Sequence, residues 1–161
     1  MPEITIRDAR PEDVPAILRF IKELAAFERQ PEAVLATEAD LLRDGFGPTP
    51  RFSCRMALLD DAPVGFALWF RNYSTWEGRA GIYLEDLYVT DAARHYGVGR
   101  RLIADLAAIA VAEGAPRLDL SVLDWNPARG FYEKLGLEHR GDWLFYRAEG
   151  EALRRLAGAG Q

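Results

Sequence analysis

Two adjacent carboxylates, Glu85 and Asp86, stand inside the apolar run Ile82-Tyr83-Leu84-Glu85-Asp86-Leu87-Tyr88-Val89. Consecutive residues of a regular strand point to opposite faces, so at least one of the pair is buried if both faces are covered. Burial disfavours the charged form, raises the carboxyl pKa and suits the group to general-base work. A strand with one wet face is the plainer account of an isolated acid; a bulge here would free a backbone N–H. Further on comes Arg94-His95-Tyr96-Gly97-Val98-Gly99-Arg100. Its glycines let backbone N–H groups converge and the helix that follows adds partial positive charge, an anion cradle suited to a pyrophosphate. It is no P-loop, since Gly-Lys-Ser/Thr is absent, and no dinucleotide fingerprint, since Leu102 stands at the third glycine position. Taken alone, a tight strand-to-helix turn with solvated arginines explains it equally well. Third is Phe131-Tyr132 before Leu135-Gly136. A tyrosine near the start of a helix can give a proton to a leaving group, although core packing is the first account of that residue by itself.

Other chemistries find little support. The lone cysteine, Cys54, has no partner for an intramolecular disulfide and reads as a small core residue. His95 and His139 lack metal-ligand spacing, so no metal is expected, and no serine sits in a Gly-x-Ser-x-Gly elbow. A net charge of −5 argues against nucleic acid as the main partner and suits a cationic substrate. All basic residues except Lys22 and Lys134 are arginine. No signal peptide or membrane-length apolar run is present, so a cytoplasmic location is the default expectation.

The elements that must hold these groups follow from periodicity. At 161 residues, with 49% hydrophobic content, one domain with a real core is expected. Ile4 and Ile6 alternate with polar residues as a first strand. Pro11-Glu12-Asp13 opens a helix whose apolar face is Val14, Ile17, Leu18, Ile21, Leu24 and Ala25. Thr37 and Asp40 read as a capping pair for a short helix over residues 38–43, stopped by Gly45 and Gly47. Residues 52–59 and 64–70 form a hairpin around Asp60-Asp61-Ala62-Pro63, and 82–89 is a third strand. Gly97-Val98-Gly99 opens an amphipathic helix with a core face of Leu102, Ile103, Leu106, Ile109 and Ala110, closed by Gly114. Residues 118–122 are a strand, a helix begins at Asn126 or Pro127 and stops at Gly136, and 143–147 is a last strand before a short helix around 152–156. The tail 157–161 is expected to fray. The sum is an α+β domain, a mixed and largely antiparallel sheet with one βαβ unit.

The order of these constellations resembles the GNAT acetyltransferase superfamily. The likeness runs over nearly the whole chain. Ile21-Lys22-Glu23-Leu24-Ala25-Ala26-Phe27-Glu28 and Asp44-Gly45-Phe46-Gly47 resemble the spermidine/spermine (diamine) acetyltransferase group. Tyr73-Ser74-Thr75-Trp76-Glu77-Gly78-Arg79, Val122-Leu123-Asp124-Trp125-Asn126 and Gly150-Glu151-Ala152 are most similar to its thialysine N-acetyltransferase branch. The resemblance implies a single acetyltransferase domain over residues 1–161 with a splayed sheet, acetyl-CoA as donor, a small amine as acceptor and a homodimer. Residue by residue, it implies that the backbone of Leu87, Tyr88 and Val89 lines the acetyl-pantetheine arm. Arg94, His95, Tyr96, Gly97, Val98, Gly99 and Arg100 would cradle the pyrophosphate, with Asn126 further along the cofactor. Phe27, Glu28, Trp76, Glu85 and Asp86 would receive the amine, with Glu85 as base and Tyr132 as acid.

Elementary chemistry agrees with that division of labour. An amine of pKa near 10 is protonated at neutral pH and cannot attack a thioester until a base such as Glu85 takes the proton. Ser74-Thr75 stand where the polyamine enzymes carry an acid, which points away from a long polyamine, and Glu77 stands where the thialysine branch has lysine. The segment from Asn126 to Tyr132 is one residue shorter than in those relatives. A non-catalytic acetyl-CoA-binding module would need neither Glu85 nor Tyr132; an acetyltransferase acting on protein would need an open peptide groove.

Overall fold

The computed structural model describes residues 1–159. The chain divides into two compact units, Met1–Asn126 and Pro127–Gln161.

The first unit is built on a five-stranded open sheet in the order β1-β2-β3-β4-β5, with β1 Ile4–Asp8, β2 Ser53–Leu59, β3 Ala62–Ser74, β4 Arg79–Val89 and β5 Leu118–Leu120. Neighbours are antiparallel except β4 and β5, which are parallel. A parallel pair needs a crossover, supplied here by α3, Val98–Glu113. The β2–β3 hairpin is tighter than expected. Only Asp60 and Asp61 form the turn, both at positive φ (48° and 67°), as the twist of a two-residue connection requires, while Ala62 and Pro63 belong to the strand.

Each sheet face carries its own helix. On one, α1 (Val14–Phe27) buries Val14, Ile17 and Phe20 against Cys54, Met56, Phe66 and Leu68. The sequence reading omits Phe20, yet this ring is fully buried, 5.9 Å from Phe66 and 6.0 Å from Tyr88. Arg7 holds the start of α1 through a two-pronged pair with the buried Asp13 carboxylate at 2.7 and 3.1 Å, which keeps that carboxyl below its ordinary pKa. On the other face α3 buries Val98, Leu102, Ile103, Leu106 and Ala110. Asp105 anchors it by a double hydrogen bond from Arg55, at 2.7 and 3.0 Å.

Several boundaries depart from expectation. The second helix, α2, runs from Glu38 to Phe46, through Gly45 rather than stopping there. Gly45 is small for another reason: a Cβ would meet the Phe52 ring at 2.6 Å. In the second unit α4 covers Ala128–Lys134 and α5 covers Gly150–Gly158. The expected strand at residues 143–147 is absent among the described residues. Its aromatic, continuously apolar composition is strand-like, but a strand exists only when its backbone groups find a ladder. Here Trp143, Leu144, Phe145 and Tyr146 are 65–87% exposed. Of the tail expected to fray, Ala157 and Gly158 lie in the last turn of α5, and Gly160 and Gln161 lie outside the described residues. No described helix is long and apolar enough to cross a membrane.

Candidate active site

The β3–β4 ladder slips by one residue at the two carboxylates. Leu68 pairs with Asp86 and Trp69 with Leu84, so Glu85 is the extra residue of a bulge. Partners across a ladder share a face, which fixes where the acids point. Trp69 and Leu84 lie on the α3 face, whereas Leu68 and Asp86 lie on the α1 face, and Glu85, next after Leu84, lies there as well. The expectation that the two carboxylates point to opposite faces is thus corrected: the bulge cancels the alternation and gathers both on one side.

Glu28 joins them from the C-terminal cap of α1. Burial and then the Glu85 charge push its carboxyl above the ordinary range, at a helix end that already disfavours an anion. Asp86 is perturbed most. Burial first, then Glu85 and Glu28, raise it to about 7, while Glu85 itself is exposed. Of the two acids, then, Asp86 is the desolvated one. Three mutually repelling carboxylates on one face are relieved by a cation among them. Beneath them Cys54 is buried, and burial pushes its thiol far above the ordinary value, consistent with a core residue.

The Asp86 shift carries a stability consequence of definite sign. Because the folded-state pKa lies above the unfolded value, the native state holds the proton more tightly, and stability falls as pH rises from about 4 to 7. Asp86→Asn mimics the protonated form. It is expected to be more stable than the parent by about 2 kcal/mol at pH 8, with the difference gone near pH 4. Urea unfolding of both proteins at the two pH values measures this, and equal stability at pH 8 would count against a desolvated Asp86 carboxyl.

On its other edge β4 pairs with β5 only over Ile82–Leu118, Tyr83–Asp119 and Leu84–Leu120. From Glu85 to Val89 that edge has no strand partner among the described residues, so pairing on that side ends at the bulge and the backbone edge of Leu87, Tyr88 and Val89 continues past it without a ladder. β4 then leads through a 3-10 turn, Asp91–Tyr96, into α3. Gly97 adopts φ +75° and no side chain caps α3, so its first N–H groups, which lack helical acceptors, are not used by a cap. The fit to a pyrophosphate is good: a left-handed glycine, an uncapped 16-residue helix, and exposed Arg100 and His95 beside it. Two residues of the loop serve otherwise than their charge or type suggests. Arg94 donates to the Val89 carbonyl at 3.0 Å and pairs with Asp91, strapping the loop, and the Val98 side chain is buried, leaving its backbone alone to face a ligand.

A groove of about 480 Å³ lies between α1 and the end of β4, lined in part by Phe27, Tyr88 and Arg94. Arg94 lies over the Phe27 and Tyr88 rings at 5.5 and 5.6 Å, and Phe27 is 6.3 Å from Trp125. Trp76 stands apart. It occupies the β3–β4 turn, 81% exposed, five ladder pairs (about 17 Å along the strand) beyond Trp69–Leu84. Asn126 is buried and donates its N–H to Leu123 at 3.0 Å. In the second unit Tyr132 is half-buried in the latter part of α4, not near its start as expected, with its ring 5.3 Å from Phe131. The sequence alone singles out neither Glu23, which together with burial pushes the Tyr88 hydroxyl above its ordinary pKa, nor Arg29, which lies over the Trp125 ring. Neither pairing has a local sequence signal. Among the described residues no cluster of His, Cys, Asp and Glu could hold a metal ion.

An open mixed sheet, a β4 bulge and a glycine turn opening α3 together define an acyltransferase scaffold, and residues 16–137 match the Acetyltransferase (GNAT) family. The chain belongs to that family and is an N-acetyltransferase. Among its relatives, the thialysine N-epsilon-acetyltransferase of Bos taurus is 42% identical over 96% of this chain and 98% of that protein. The spermidine/spermine N(1)-acetyltransferase-like protein 1 of Homo sapiens is 39% identical over 94% of this chain, which spans 23% of that longer protein. Among solved structures, an integron cassette protein from the mobile metagenome of V. cholerae superposes with a TM-score of 0.80 at 28% identity, covering 97% of this chain and 98% of that one.

Proposed function

We propose that the chain transfers acetyl from acetyl-CoA to the primary amine of a small cationic substrate, a thialysine-like amine first and a diamine second. The observation that carries this reading is the coincidence, at one bulge, of a β4 edge without a strand partner and carboxylates facing α1. The edge suits an extended thioester arm and the carboxylates suit an ammonium, so the two reactants meet at residues 85–87. Bound acetyl-CoA supplies an activated acyl group. Glu85 takes the ammonium proton, directly or through water, and so frees the attacking lone pair. The Leu87 N–H donates to the carbonyl oxygen as charge develops there. Gly97, Val98, Gly99 and Arg100 hold the pyrophosphate, with Arg94 fixing the loop. Tyr132 protonates the departing thiolate.

Glu28 and Asp86 attract the cation while Phe27 covers its apolar stem. In this reading residues 1–161 work as one catalytic domain. The family resemblance supports a homodimer, and the exposed apolar run Trp143–Tyr146 is surface that a second copy can cover. The test is release of free CoA thiol from acetyl-CoA in the presence of thialysine, lysine, putrescine and spermidine. Thialysine and the short diamines are expected to be acetylated ahead of spermidine. Tight acetyl-CoA binding without thiol release from any of them would overturn the reading.

A further inference from the structure

We propose that Arg29 recognises a carboxylate at the far end of the amine substrate, and so selects amino acids over plain diamines. This rests on the small-amine reading above and adds a specificity residue to it. Helix α1 ends with the N–H of Arg29 donating to Ala26 at 3.1 Å and that of Gln30 to Ala25 at 2.9 Å. The closing turn places Arg29 at φ +64°, the left-handed conformation that helix ends usually give to glycine. An arginine tolerates that backbone here while its guanidinium carbon lies over the Trp125 ring, 3.8 Å from the centroid. The other arginine–aromatic contacts of the described residues that surround this site are looser, 5.5 and 5.6 Å for Arg94.

Stacking uses the face of a guanidinium and leaves its edge, the fork of N–H donors that matches a carboxylate. No carboxylate of the described residues pairs with that edge. Arg94 differs in this respect, being committed to Asp91 and the Val89 carbonyl, and Arg117 is within 3.7 Å of Glu77. Trp125 also neighbours Phe27, so the stacked cation borders the wall that continues through Glu28 to the bulge acids. The site therefore has an anionic end that accepts the reacting ammonium and a fixed cation beyond it. A diamine brings nothing for that cation; an amino acid acetylated on its side chain brings a carboxylate.

The experiment compares substrates that differ only in that group: thialysine against bis(2-aminoethyl) sulfide, and lysine against cadaverine. Arg29→Gln is expected to lower the ratio of kcat/KM for amino acid over diamine by about tenfold or more, as loss of a charge-assisted pair predicts. The change should appear in KM for the amino acid. Arg29→Lys should retain part of the preference, and Arg29→Glu should invert it. A ratio that stays within about twofold in all three variants, while their acetyl-CoA KM shows them folded, would overturn the assignment and leave the acetyltransferase reading intact. Absence of activity toward every amine in the parent protein would overturn both.

Discussion

Glu85→Gln is expected to lower kcat/KM for the amine by about 10²- to 10⁴-fold, the range a positioned general base supplies. The KM for acetyl-CoA should stay within about twofold, because the cofactor loop and the α3 N-terminus are untouched. The amide is isosteric and the side chain is exposed, so folding is spared. The pH profile discriminates further. With the base present, reaction proceeds at neutral pH, since the proton leaves to Glu85 within the complex. Without it only the small fraction of free amine reacts, and the rate should climb toward the amine's own pKa near 10. Asp86→Asn is the control that separates the two carboxylates. If Asp86 serves by attracting the cation, its loss raises amine KM and leaves the profile shape alone. A profile that loses its neutral limb in Asp86→Asn but not in Glu85→Gln would reassign the base to Asp86.

That question arises because the sequence makes the pair visible and hides its geometry. The apolar run over residues 82–89 marks a strand, but the rule that neighbours face opposite ways assumes an unbroken ladder, and the slip lies in pairing with Leu68 and Trp69 on another strand. The turn into α3 is plainer, because a stretch rich in glycine before a helix is local: Gly97 takes the left-handed conformation and α3 follows at once. The helices of the first unit follow their apolar periodicity, Phe20 apart, since a helix forms its own hydrogen bonds. The expected strand at 143–147 fails for the converse reason, as its hydrogen bonds must come from elsewhere. Arg29 and Trp125 are distant in sequence and meet only in the fold, so no spacing rule reaches them.

Charge patterning ties these observations together. A formal charge of −5 conceals two local fields of opposite sign, Glu28, Glu85 and Asp86 around the bulge and the arginine-bearing loop before α3. An anionic thioester donor and a cationic acceptor would repel from a uniformly charged surface of either sign. Placing the acids on the α1 face and the anion cradle at the α3 end separates the two attractions along a single strand, β4. In the proposed reaction the strand is both the structural spine and the axis along which the two substrates would be brought together.

Tyr132→Phe is expected to lower kcat by about 10²-fold at pH 7, the lower end of general-acid catalysis, and to leave the dissociation constant of acetyl-CoA within about twofold. The lower end applies because a thiolate, with a conjugate-acid pKa near 8.5, is already a fair leaving group. The sign of the pH dependence follows from the same fact. Above about pH 9 the departing thiolate needs no proton, so the deficit of the variant should shrink as pH rises. Removing only the hydroxyl preserves the ring, which packs 5.3 Å from Phe131, and the end of α4, where the Tyr132 carbonyl accepts from Leu135 and Leu137 at 3.1 Å. A loss of activity through misfolding would instead be independent of pH and would weaken acetyl-CoA binding. Full activity of Tyr132→Phe at pH 7 would remove this residue from the mechanism and return the proton to solvent.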